Sequence, residues 1–176
     1  MGEHPVIETA KGKTFDNVVR LSTGIQAILR PVSASLLQDV MSRIVDPQEP
    51  WTYNEEKGRE EPDPYNKEYL AKLTSNNQAR ARASMDAMAM FGIELVDGLP
   101  EDDMWIKRIK QFEKLGYLDL SQFDLEDEID QEFLYKRYIA LGNQDLVNIG
   151  KMSGIRQEDI DEAESSFRSD KGRDSD

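Results

Sequence analysis

LSTGIQAILRPVSASLLQDVMSRI, residues 21–44, carries two periodicities on either side of one proline, and the change between them decides the fold. On the near side, Val18, Val19 and Leu21 flank Ser22-Thr23-Gly24 together with Ile25, Ala27, Ile28 and Leu29. Two β-favouring runs around a glycine that tolerates positive φ predict a tight hairpin. Pro31 restricts Arg30 to extended backbone, and Ser35 with Gln38 fits a capping box that opens a helix. On the far side Leu36, Leu37, Val40, Met41, Ile44 and Val45 recur at helical intervals, giving an apolar stripe that needs a partner. The hairpin is the nearest one. The expected fold is mainly α, of the α+β class, with an N-terminal β-hairpin packed on a bundle of about five to six helices.

A chain of 176 residues, 38% of them hydrophobic, has enough apolar material for one core. The expected organisation is a flexible arm at 1–13, a single mainly helical domain at 14–167 and a disordered acidic tail at 168–176. A net charge of -13 opposes phosphate backbones and anionic bilayers, which argues against nucleic-acid and membrane partners. With no cysteine there is no disulfide framework, and no thiolate nucleophile or metal ligand. The sequence shows neither an apolar run of membrane-spanning length nor a charged-then-apolar leader, so the expected location is the cytoplasm.

Residues 46–64, DPQEPWTYNEEKGREEPDP, hold four of the seven prolines and a Lys57-Gly58 turn signal, and read as a long acidic excursion rather than an element. Within it Trp51 and Tyr53 alternate. Such alternation fits a short strand added to the hairpin, while long loops also serve as partner-binding arms. From Tyr65 onward, Tyr69, Leu73, Asn77, Ala81, Met85, Met88 and Phe91 fall near one helical face up to Gly92, predicting a long helix docked by its C-terminal half. Arg80 and Arg82, two apart, point to different sides of it and read as solvated. Another helix is marked by Pro100, Glu101, Asp102 and Asp103 at its start, by lysines toward its end and by Gly116 beyond, with Trp105, Ile109 and Phe112 inward. The next begins near Asp124, buries Ile129, Phe133 and Leu134, and stops at Gly142.

Groups that carry chemistry are sparse. Asp124, Glu126, Glu128 and Asp130 alternate like cation ligands, yet no glycine supplies the sharp turn a calcium loop needs, so they read as a helix N-terminus. The sole histidine, His4, leaves no histidine triad and no multi-histidine zinc site. No carboxylate pair sits in an apolar context that would raise its pKa. The expectation is a non-enzyme without cofactor or metal. Leu146, Ile149 and Met152, then Gly154, then Ile155, Ile160, Ala163 and Phe167 give a helix pair with helix-turn-helix spacing. Glu158, Asp159, Asp161, Glu162 and Glu164 on its second helix favour packing over phosphate contact. A partner-binding set remains: Trp51, Tyr53, Met85, Met88, Met90 and Phe91, more large apolar side chains than one small core needs.

Four segments, LSTGIQAILRPVSASLLQDV, EEPDPYNKEYLAKL, YIALGNQDL and MSGIRQEDIDEAESSF, resemble a family of small proteins encoded among the tail genes of long-tailed bacteriophages, the tail assembly chaperones. They extend over most of Leu21–Phe167 and are patterns of turn and core residues, none of them a catalytic signature. Arg156 departs from the resembling sequences, where a serine or threonine helix cap is more usual. The resemblance implies a non-enzymatic protein in the cytoplasm of the infected host cell. It would bind the tape-measure protein, keep it soluble and help tail-tube subunits assemble around it. The alternatives are a structural virion component of the head-tail junction and a helix-turn-helix transcriptional regulator.

Overall fold

A computed structural model describes residues 17–154 and, outside that range, the backbone of two short strands, β1 (Ile7–Glu8) and β2 (Thr14–Phe15), which pair antiparallel. β1 lies within the segment expected to be a loose arm. His4, the tail at 168–176 and the second helix of the C-terminal pair lie outside the described residues. The described chain divides into two units, one containing residues 17–34 and 85–154, the other residues 35–84.

In the first unit the expected hairpin forms from β3 (Val18–Arg20) and β4 (Gln26–Leu29), with Val18 opposite Ile28 and Arg20 opposite Gln26. Gly24 turns the chain at φ 91°, and its N–H donates to the Leu21 carbonyl over 2.8 Å. The free edge of β4 is taken by β7 (Ile93–Leu95), antiparallel, with Ala27 opposite Leu95 and Leu29 opposite Ile93. Ala27 and Ile28 are neighbours in sequence and point to opposite faces, yet both are buried, so this central strand is covered on both sides.

Three helices complete the unit: α3 (Met104–Lys114), α4 (Glu128–Tyr135) and α5 (Asn143–Met152). Each contributes one fully buried residue to the core, Ile109, Leu134 and Ile149 respectively. Burying each of these stabilises the fold by roughly 1.5–3 kcal/mol. Trp105 of α3 meets Tyr135 of α4 edge to face, with centroids 5.4 Å apart. α3 begins at Met104 rather than at Pro100, because the acidic run precedes the helix and the Asp102 carboxylate accepts from the Met104 N–H. Ile129 was expected inward but is exposed. Asp127 caps α4 by accepting from the N–H groups of Ile129 and Asp130, and the face turned inward carries Leu134, as expected, with Tyr135, while Phe133 is half-buried. α4 then runs into a single π-helical turn, Lys136–Ala140, in which the Leu141 N–H reaches the Lys136 carbonyl five residues back.

The second unit contains α1 (Ala34–Ser42) from Ser35 onward, a second hairpin, and the first part of α2 (Lys67–Phe91), whose last turns belong to the first unit. α1 starts at Ala34, so Ser35 lies inside its first turn rather than capping it. Of the expected stripe, Leu37 is buried, Leu36, Val40 and Met41 are half-buried, and Val45 lies beyond the helix end and is exposed. Asn66 caps α2, its Oδ1 accepting from the N–H groups of Glu68 and Tyr69. Ser84, Ala87, Met88 and Ala89 are buried, so the C-terminal end of α2 is the docked one, as its apolar periodicity indicated. The fold is mainly helical α+β, with five α-helices and three small antiparallel sheets among the described residues.

Candidate functional site

Residues 46–64 are an element after all. Trp51–Asn54 (β5) and Arg59–Pro62 (β6) form an antiparallel hairpin of their own, with Trp51 opposite Pro62, Tyr53 opposite Glu60 and Asn54 opposite Arg59. The strand anticipated at Trp51 and Tyr53 exists, but its partner is β6, and neither strand joins the sheet of the first hairpin. The turn explains the pairing. The Asn54 side chain accepts from the N–H groups of Glu56 and Lys57, and Gly58, at φ 63°, donates to the Asn54 carbonyl over 2.8 Å.

Both ends of the hairpin are fastened within the second unit. On the incoming side the Arg80 guanidinium donates to the Ile44 carbonyl over 2.7 Å and pairs with Asp46, while the Asn76 amide donates to the Val45 carbonyl. Arg80, expected to be solvated, is thus a clamp. Its hydrogen bond holds the Asp46 carboxyl below its ordinary value, outweighing an opposing desolvation, with a further contribution from Asn76. On the outgoing side the Asp63 N–H donates to the Pro50 carbonyl, and the Asn66 N–H to the Asp63 carbonyl.

Strand alternation sorts the hairpin side chains onto two unlike faces. One face holds Thr52, Asn54, Arg59 and Glu61. There Glu61 accepts from Arg59 at 2.8 and 3.0 Å, from Lys57 at 3.0 and 3.1 Å and from the Asn54 amide at 3.1 Å. The other face holds Trp51, Tyr53, Glu60 and Pro62, with Trp51 64% and Tyr53 61% exposed. Two large aromatic rings side by side at that exposure are unusual on a polar surface.

The bonds from Arg59, Lys57 and Asn54 lower the Glu61 pKa from its ordinary 4.5. A carboxylate depressed by folding stabilises the fold above its ordinary value and loses that contribution as pH falls through the folded value. The hairpin is therefore expected to hold at neutral pH and to loosen as acidification passes below that ordinary value. The indole N–H resonance of Trp51 should shift over that window while that of buried Trp105 stays fixed. A Trp51 resonance that does not move between neutral pH and that window would contradict this.

The six candidate residues are not gathered at one place. Trp51 and Tyr53 share the hairpin face, whereas Met85, Met88, Met90 and Phe91 lie on the last turns of α2, in the other unit. Met88 is 6% exposed and part of the core, and the half-buried Met85 sulfur accepts from Arg137. Phe91 is exposed and Met90 half-buried. The Arg59, Glu60 and Glu61 side of the site was missed, although the alternation in Arg-Glu-Glu-Pro separates Glu60 from Glu61 as strand geometry would.

In the acidic run at 124–130 the carboxylates serve the backbone. Asp124 accepts from the Glu126 N–H and Asp130 from the Asp124 N–H, consistent with a helix start rather than a calcium loop. Among the described residues no group of three or more His, Asp or Glu side chains is placed to hold a metal ion, and no helix is long and apolar enough to cross a membrane. An open depression of about 560 Å3 in the first unit is lined in part by Arg20, Asp97, Glu101 and Tyr135. Burial, followed by the charge of Asp102, pushes the Tyr135 hydroxyl pKa up, so it offers a donor and not a base. No protein-family model, curated protein or solved structure matches the chain.

Proposed function

We propose that this chain is a non-enzymatic tail assembly protein of a long-tailed bacteriophage, acting in the host cytoplasm to bind the tape-measure protein and assist assembly of the tail tube. The observation that supports this reading is the face of β5 and β6, where Trp51 and Tyr53 stand exposed on a hairpin whose incoming end is clamped to α2 by Arg80 and Asn76. Rigid aromatic side chains on a preorganised element are the usual anchors of protein interfaces. The net charge of -13 would keep a complex with an apolar partner in solution.

Co-expression with the tape-measure protein of the same tail-gene cluster tests the proposal. The tape-measure protein should become soluble and co-purify. The double variant Trp51→Ala, Tyr53→Ala should recover about tenfold less complex with unchanged helical content, as expected for loss of interface anchors. A tape-measure protein that stays insoluble, with this chain present in finished virions at fixed copy number, would replace the proposal with the head-tail junction reading.

A further inference from the structure

We infer that the aromatic face of the second hairpin binds a cationic segment of a partner protein, one in which arginine or lysine alternates with apolar residues. This deepens the proposed function by naming the chemistry its docking site selects. The inference rests on how the hairpin distributes its charge. Residues 46–64 carry seven carboxylates and only two cations, Lys57 and Arg59. Both cations are bound to Glu61 on the opposite face. The Trp51 and Tyr53 face is left with Glu60, which sits directly across from Tyr53 and has no hydrogen bond or ion pair among the described residues.

Two electron-rich ring faces beside an unneutralised carboxylate match a guanidinium or ammonium group. Such a cation stacks on an indole or phenol ring and simultaneously pairs with the acid. The apolar residues of the same segment would cover the rest of the Trp51 ring and Pro62. An acidic or purely apolar segment fits less well. The first is repelled by Glu60 beside the rings and by the net negative charge of residues 46–64, and the second leaves Glu60 desolvated without a partner.

The test uses the full-length protein and a labelled twelve-residue peptide of alternating arginine and leucine, with glutamate-leucine and citrulline-leucine versions as comparisons, read by fluorescence anisotropy. The arginine peptide should bind and the glutamate peptide should not. Citrulline, which keeps the shape and loses the charge, should bind at least about fivefold more weakly. Trp51→Ala and Glu60→Gln should each weaken arginine-peptide binding about three- to tenfold. Glu126→Gln, which removes one exposed charge in the other unit, should change it less than twofold.

Equal binding of the citrulline peptide, or equal losses from Glu126→Gln and Glu60→Gln, would overturn the inference by showing that shape or overall charge suffices. Self-association of the wild-type chain that disappears in Trp51→Ala would overturn it in favour of a second copy as the occupant. The outcome is separable from the tail-assembly proposal. Rescue of the tape-measure protein without peptide binding leaves the function and removes the cationic segment, whereas peptide binding without rescue does the reverse.

Discussion

Gly92→Ala is expected to lower stability by about 3 kcal/mol. Gly92 joins α2 to β7, and a β-carbon there would lie 2.5 Å from Ile149 Cγ2, 2.5 Å from the Met88 carbonyl oxygen and 3.2 Å from Val32 Cγ2. The residue cannot step aside. Its N–H donates to the Met88 carbonyl over 2.8 Å and its own carbonyl accepts from the Arg30 N–H over 2.9 Å, so relief in one direction breaks a backbone hydrogen bond in the other. Ile149 has no room to yield either, being fully buried. Urea denaturation would measure the effect, and a variant within about 0.5 kcal/mol of wild type would contradict the steric argument.

Asp145→Ala should cost a comparable amount, roughly 3–4 kcal/mol, by a different route. Asp145 is 5% exposed, and its carboxylate accepts from the Ser22 N–H at 3.1 and 3.2 Å, the Ser22 hydroxyl at 2.6 Å and the Gly142 N–H at 2.9 Å. These bonds tie the turn of the first hairpin to the start of α5, beside a further bond from the Thr23 hydroxyl to the Ala140 carbonyl. Alanine leaves three part-buried donors without an acceptor. Asn should retain part of the stability, because its carbonyl oxygen replaces one acceptor while its amide faces an N–H. If alanine and asparagine variants unfold at the same denaturant concentration, the carboxylate is not acting as the shared acceptor.

What was legible in the sequence was whatever depends on near neighbours. Val18 to Leu29 announced a hairpin because two β-favouring runs bracket a glycine, and α2, α3 and α5 announced themselves through spacing and end signals. β7 escaped because three residues, Ile93-Glu94-Leu95, are too few to show a period and acquire strand character only by pairing with β4. β6 escaped for the opposite reason. Arg-Glu-Glu-Pro has poor strand propensity, and what steadies it is a set of contacts to Glu61 and a ladder to Trp51–Asn54 that sequence order does not display. Asp145 drew no attention in the sequence, since its partner Ser22 stands 123 positions earlier. Likewise nothing local distinguished Met88, which is core, from Phe91, which is exposed. The four α2 members of the expected contact set therefore divided only when the packing was known.

The π-helical turn at Lys136–Ala140 places one more residue between α4 and α5 than an α-helical turn would hold. With one residue between Lys136 and Leu141 removed, the Leu141 N–H would still reach the Lys136 carbonyl, now as an ordinary four-residue α-helical bond. The turn would regularise while Leu141 and the residues after it keep their places, Asp145 on Ser22 and Ile149 in the core. The surplus residue is thus absorbed locally, and this stretch tolerates a change of length that the helices on either side do not. Homologous proteins that keep the Ser22 to Asp145 tie should therefore place single-residue gaps within 136–140 and none within α4 or α5.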